Sequence, residues 1–421
     1  MILFLTLTIL LVLGLPVSFA LGLSAMVAMV ASDLPLSTVA LRMTDALNSF
    51  SLLALPLFML SGALMEHGCT PRIIRFVNIL FGRLPGGLGS VTIAGCMFFS
   101  SISGSGSATV AAIGGVTTKD LLKQNYSKAY VSSMLAAAGG LGILIPPSIP
   151  MVVYGIVAQV SISQLFAAGF VPGILIGIAL IIYNTIIAKR KNFGLSGTER
   201  HTAKEIMAIT YDAVLPLGMP IIILGGILAG AFTATEASIV AAVYAFILSA
   251  FVYRELTLKK FLDSCASAMT SSTMILFVIA CANAFGWYLA IEGLSNDIAQ
   301  AFVGFSSNGV VLMLMITALL LLLGTFMETS SIILITTPIL LPIVVSLGFS
   351  PVHYGILLII NLIVGAMTPP LAVTLFISTQ LCGIKMQDSF PDILYIIALY
   401  VVLLVLFTFV PSITMWLPSL M

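Results

Sequence analysis

What this chain lacks most is charge. Of 421 residues, 7% are Asp, Glu, Lys or Arg, and 16 basic against 15 acidic side chains leave a formal net charge of +1. Soluble proteins carry charge on roughly a quarter of their residues, so a water-exposed globular fold is excluded. The absence of a basic excess excludes a nucleic-acid partner, because phosphate binding needs clustered cations. The five cysteines (Cys69, Cys96, Cys265, Cys281, Cys382) contain no CxxC pair, and the three histidines (His67, His201, His353) are far apart. That scatter fits free thiols and speaks against disulfides or a zinc site. Neither a Walker A loop nor HExxH occurs, so nothing points to nucleotide-driven work or to a metalloprotease.

What is present is apolar sequence. Hydrophobic residues make up 60% of the chain. Runs near the spanning length of about 20 residues recur from end to end: Leu3–Ala31, Leu52–Met65, Ala213–Phe232, Ala237–Tyr253, Met274–Ile291 and Ile393–Phe409. Solid runs of this kind predict a polytopic all-α membrane protein rather than a barrel of alternating strands. The first run lacks a basic n-region and is too long for a signal peptide, so it is expected to remain as membrane helix. The first 50 residues have two possible paths: one long span, or a span plus a surface helix at Leu36–Asn48.

The most polar segment, Lys189–Lys204 ("KRKNFGLSGTERHTAK"), lies near the middle, and features repeat on either side of it. "LGLP" at Leu13–Pro16 is echoed by "LGMP" at Leu217–Pro220, and "GILIPPSIP" at Gly142–Pro150 by "GAMTPPLAV" at Gly365–Val373. Between these marks each half carries a polar break, Ser100–Thr109 in the first and Gly324–Ser331 in the second. Basic residues cluster at Arg72/Arg75/Arg83, Lys119/Lys123/Lys128, Lys189–Lys204 and Arg254/Lys259/Lys260, whereas the connections near Glu292–Asp297 and Ser346–His353 have none. By the positive-inside rule the first set is cytoplasmic. The two polar breaks are then entered from opposite sides, which makes the repeat inverted, as in secondary transporters.

Gly89–Val116 is too short for two full spans at 1.5 Å per residue, yet basic residues flank both its ends. It is expected to be a re-entrant hairpin of two half-length helices with its tip at Ser100–Ser107, and Val310–Val345 reads the same way. A polar tip at membrane depth is tolerated only inside protein or beside a cavity. Thr70–Arg83 ("TPRIIRFVNILFGR") reads as an amphipathic surface helix, with Thr70 as N-cap and proline in the first turn. Thr233–Glu236 ("TATE") matches the capping box. Glu66 and Asp45, near helix ends, read as interfacial.

The double prolines break two further helices. Pro146-Pro147 leaves the carbonyls of Gly142–Ile145 without partners and starts a half-helix beside Ser148. Pro369-Pro370 does the same for Gly365–Met367, beside Thr368. Free carbonyls with hydroxyl oxygens suit a hard cation, and half-helix N-termini attract an anion. For any single element of this set close helix packing is the better explanation; four elements in symmetric pairs point to a binding site. Glu328 is the one carboxylate in the candidate core, and three roles are open to it: proton carrier, Na⁺ ligand, or cap for its own backbone.

Five stretches, "SSISGSGSATVAAIG", "PPSIPMVVYG", "GAFTATEAS", "GTFMETSSIILITTPILLPI" and "GAMTPPLAVTLF", together resemble the large membrane subunit of tripartite ATP-independent periplasmic (TRAP) transporters over nearly the whole chain. In "GAFTATEAS", alanine stands at position 234 where the commoner form has proline. The resemblance implies Na⁺-coupled symport of an organic acid, of the sialic acid or C4-dicarboxylate class, across the bacterial inner membrane by an elevator motion. It also implies a small four-helix membrane subunit, expected as a separate chain, and a periplasmic substrate-binding protein. Carried over residue by residue, Na⁺ would meet Ser103, Ser107, Gly142 and Ile145 at one site, and Gly324, Thr325, Gly365, Met367 and Thr368 at the other. Substrate would touch Ser105, Ser107, Ser148, Glu328, Thr329 and Thr368. No nucleotide or other cofactor is implied.

The expected organisation is scaffold and surface arm at 1–85, hairpin and broken helix at 86–188, a cytoplasmic linker at 189–210, a second scaffold and arm at 211–305, and a second hairpin and broken helix at 306–421. Two other readings compete. A standalone anion permease would need no soluble partner. An intramembrane enzyme would need a nucleophile with its base or paired membrane aspartates, and the sequence offers neither.

Overall fold

The computed structural model describes residues 2–194, 202–294 and 308–421. Among them there are helices and connecting turns and no strand. Seven helices are long and apolar enough to cross a membrane, or eight if a bent pair counts as one span. The part of the second surface arm expected at 295–305 lies outside the described residues, as do 195–200 and His201 of the polar linker.

In chain order the first half runs α1 (Ile2–Val12), α2 (Val17–Ala31), α3 (Ser37–Leu47), α4 (Ala54–Met65), α5 (Thr70–Phe81), α6 (Gly87–Ser103), α7 (Gly106–Lys123), α8 (Lys128–Gly140), α9 (Ile149–Ala158) and α10 (Ile162–Lys191). The second half runs α11 (Ala203–Leu228), α12 (Ala234–Ile247), α13 (Leu258–Ile291), α14 (Gly309–Phe326), α15 (Thr329–Ser346), α16 (Pro351–Ala366), α17 (Val373–Cys382), α18 (Asp392–Phe409) and the short α19 (Ser412–Met415). Neither expected path for the first 50 residues is matched in full: the first run is two helices, α1 and α2, and a separate helix follows at Ser37–Leu47. It meets the following helical stretch at a 62° bend.

Hydroxyl side chains survive among apolar helices by donating back into their own backbone. Thr92, Ser100, Thr117 and Thr118 each bond the carbonyl four residues earlier, which leaves no hydroxyl proton stranded in hydrocarbon. Thr233 and Glu236 form the expected capping box in full, Glu236 Oε2 accepting from the Thr233 N–H at 2.8 Å. Lys189, Arg190 and Lys191 close α10 where the helix dipole favours cations.

Three sequence expectations need correction. Thr70 is the first residue of α5, not its cap: Cys69 occupies that position, and the buried Thr70 hydroxyl has no partner. The hairpin arms are longer than half-helices, 17 and 18 residues in the first and 18 and 18 in the second. The LG-x-P echo does not mark equivalent structure. In the first copy the chain breaks between α1 and α2, with Gly14 at φ +82. In the second copy α11 runs unbroken through Pro216 and Pro220. The reason is local: proline at 216 frees the carbonyl of Asp212, and the Tyr253 hydroxyl takes that bond at 2.9 Å. By the charge pattern α2 and α11 also cross in the same sense, which an inverted pair cannot do.

Candidate functional site

Each hairpin is turned by different chemistry. At the first tip Gly104 takes φ +63, and a Cβ there would lie 2.7 Å from the Pro147 carbonyl oxygen; only glycine fits. Ser105 then caps α7, accepting from the Ala108 N–H. The second tip has no glycine in its turn. Met327 is extended and Glu328 is the N-cap of α15, accepting from the Ser330 and Ser331 N–H groups at 2.9 and 3.2 Å and from the Ser330 hydroxyl at 3.1 Å.

The tips dock onto the broken helices. The Ile149 N–H donates to the Gly104 carbonyl at 3.2 Å, and the Leu371 N–H donates to the Thr325 carbonyl at 3.0 Å. In both halves, then, an N–H within two residues of the Pro–Pro pair holds the hairpin tip of the same half. Gly106 sits between the Gly139 carbonyl and Thr374, so the first tip touches both broken helices.

Around the first break the oxygens cluster. The Ser103 and Thr109 hydroxyls are 3.1 Å apart, Thr109 Oγ1 donates to the Ser105 carbonyl at 2.8 Å, and the Gly142 backbone faces both, a Cβ there falling 2.5 Å from Ser105 O and 2.8 Å from Thr109 Oγ1. Ser148 is wholly committed, donating to Ile143 O at 2.6 Å and accepting from the Met151 N–H. Ile145 lies beyond the helix, as the double proline requires. Around the second break, Gly324 and Gly365 pack backbone to backbone, a Cβ on Gly365 reaching the Gly324 Cα at 2.5 Å. Thr325 and Thr368 each donate to a carbonyl of their own helix, Leu322 O and Val364 O. Thr374 reaches back across the break to Ala366 O at 2.8 Å. Met367 is buried, and the Asn361 Oδ1 nearby has no hydrogen-bond partner.

A half-open cavity of about 370 Å³ lies where these parts meet. Ser103, Ser105, Ser107, Gly324, Glu328 and Thr329 line it; Gly142, Ile145, Ser148, Thr325, Gly365, Met367 and Thr368 do not. Its opposite wall comes from α4 (Met59, Gly62, Ala63) with Glu66, and from α13 (Ser267, Ala268, Ser271, Ile275). Sequence reasoning missed that wall. From sequence Glu66 reads as interfacial, and the serines at 264, 267 and 271, spaced along one helical face, are the available signal. Gly62 shows how close the two walls come: a Cβ there would lie 2.9 Å from the Ser103 Cα.

A second cavity of about 430 Å³ lies further along the same helices. On α13 Ile275 lines the first cavity and Ile279 the second; on α15 the change falls between Ile332 and Leu334. The partition is therefore one helical turn thick or less, about 3–6 Å of rise. The first cavity lies toward the basic ends of α4 and α13, the second toward the ends free of basic residues.

Residues 4–413 match the family described as the tripartite ATP-independent periplasmic transporter, DctM component. The chain belongs to the DctM family. It is 36% identical to the C4-dicarboxylate TRAP transporter large permease protein DctM of Pseudomonas aeruginosa, over 95% of this chain and 94% of that one. It is 41% identical over 408 residues to the isethionate TRAP transporter permease protein DctMQ of Oleidesulfovibrio alaskensis, covering 96% of this chain but 64% of the relative's length. Among solved structures, the YdaH transporter of Alcanivorax borkumensis has the same overall fold, with a TM-score of 0.60 over 90% of this chain and 88% of its own at 14% identity. Membership in the DctM family makes this a multi-pass inner-membrane transport component and not an enzyme.

Proposed function

We propose that this chain is the permease part of a Na⁺-coupled organic-acid symporter that receives its substrate from a periplasmic binding protein and works beside a small membrane subunit. One observation carries the reading: both hairpin tips and both broken helices converge on a single cavity whose far wall belongs to different helices. Such a cavity can hold a solute between a body that moves and a body that stays, which is what an elevator motion needs.

The chemistry of each part supports it. The Ser103, Thr109 and Ser105 oxygens with the Gly142 backbone make a hard, uncharged donor set that suits Na⁺. Ser107 lies beside it, its hydroxyl 3.1 Å from that of Ser105. At the second break Thr325, Thr368 and the Gly365–Met367 carbonyls offer a similar set, since a hydroxyl that donates to a carbonyl keeps lone pairs for a cation. A substrate carboxylate or sulfonate would face the start of α7, with Ser105, Ser107 and Thr329 as donors. Ser148 and Thr368 act on the substrate only through the backbone they brace. Glu328 accepts three hydrogen bonds at the start of α15, which makes it a cap first. The isethionate and C4-dicarboxylate named for the relatives are both small organic anions, and the cavity is of a size for that class.

Proteoliposomes carrying this chain and its small subunit test the reading. Uptake of labelled succinate, isethionate or sialic acid is expected only with both an inward Na⁺ gradient and a binding protein. Gradient-driven uptake without any binding protein would replace this reading with the standalone permease.

A further inference from the structure

Among the described residues, Arg42 is the single Lys or Arg on the external face; the others lie at the cytoplasmic ends of their helices or in cytoplasmic connections. The positive-inside rule disfavours a cation there, so its presence calls for a reason. Arg42 lines the second cavity together with Asp45, Gln159, Asn283 and Trp287. Its guanidinium lies over the Trp287 ring, 4.8 Å from the centroid, which fixes the plane of the fork. Its carboxylate contact is loose: Asp45 Oδ2 stands 3.9 Å from Nη1, with the two side chains 40% and 65% exposed. A pair so long and so wet holds weakly and leaves the fork free to exchange partners. Asn283 is exposed and adds an amide donor to the same wall.

The cavity is also shared. Arg42, Asn283 and Trp287 come from α3 and α13, while Ile156, Val157 and Gln159 come from the end of α9, and Leu334 and Pro338 from α15. An anion seated there would touch both bodies and lie within one helical turn of the first cavity.

We propose that the second cavity is an external vestibule that binds the organic anion before translocation, with Arg42 as its carboxylate or sulfonate receptor and Asn283 as a supporting donor. The proposal rests on the permease reading for the direction of travel, but its binding site stands on the geometry above.

Trp287 supplies the test. The chain has two tryptophans, so in the Trp416→Phe background Trp287 reports alone. The full chain in nanodiscs is titrated separately with succinate, isethionate and sialic acid, and with chloride as control. At least one organic anion is expected to change Trp287 emission saturably. Arg42→Ala should weaken the midpoint about tenfold or more, because a charge-assisted fork is lost. Arg42→Lys should fall between, keeping the charge without the fork. In uptake assays Arg42→Ala should raise KM for external substrate and leave the maximal rate nearly unchanged. An unchanged midpoint in Arg42→Ala, a response no different from chloride, or no response to any of the three overturns the vestibule. If the emission change is intact while no Na⁺-driven uptake occurs with the small subunit and binding protein present, the proposed function fails and the binding site stands.

Discussion

The two hairpin–break pairs occupy corresponding places in the chain but are built to different standards of burial. At the first, every residue from 130 to 155 is buried, and the tip is turned by a left-handed glycine, braced by Ser148 and filled with hydroxyls bonded to one another. At the second, Phe326, Glu328, Pro370 and Leu371 are exposed, and the contact between hairpin and break is glycine backbone on glycine backbone. A cross-braced tip is preorganised and loses little entropy when an ion enters. An exposed tip held by a smooth backbone contact can open. On the permease reading proposed above, the first pair is suited to holding and the second to admitting.

Five substitutions and one control break or sharpen that contrast. The largest effect is expected at the glycine contact. Gly365→Ala places a Cβ 2.5 Å from the Gly324 backbone and should cost about 3 kcal/mol, seen as a drop of several degrees in the thermal unfolding midpoint in detergent. Gly115→Ala, with nothing within 4 Å, is the control and should leave that midpoint unchanged. Next comes Ser103→Ala, which removes one oxygen of the first cluster. It should raise the Na⁺ concentration for half-maximal uptake about tenfold, in line with about 1.5 kcal/mol for a contact to a charged partner. Thr325→Ala should raise it less, since that hydroxyl is half-exposed. Equal effects at the two positions would erase the proposed division of labour.

Glu328→Ala should cost about 1 kcal/mol as a lost cap, read from the same unfolding curve. The smallest effect is expected for Glu328→Gln, whose amide oxygen can still accept from Ser330 and Ser331. Uptake and its pH profile should both persist. A flattened pH profile would make Glu328 a proton carrier and the second tip a chemical as well as a mechanical element.

The hairpins and breaks were legible because glycine, serine and proline are costly at membrane depth and so stand out. Their orientation is an expectation that rests on lysine and arginine alone. The far wall was not. Whether Ser267, Ser271 and Glu66 face the cavity depends on how α13 and α4 are rotated against the tips, and no single-sequence pattern records that rotation. Asp45 reads as interfacial from sequence for the same reason: α3 is amphipathic whether its polar face meets water or a vestibule. The LG-x-P echo misled because proline's effect depends on who takes the freed carbonyl. Tyr253 takes it in α11, and the break between α1 and α2 has no such neighbour.

The thin partition between the cavities has an electrical consequence. Where a wet cleft reaches inward from each side, the membrane potential does not fall evenly over 30 Å of hydrocarbon. It falls almost entirely across the short stretches of α13 between Ile275 and Ile279 and of α15 between Ile332 and Leu334. A charge moved about 6 Å through that layer traverses nearly the whole voltage, worth about 2.3 kcal/mol per elementary charge at 100 mV. A small sliding movement can therefore be strongly driven by the cell's potential without any charge travelling the full width of the membrane.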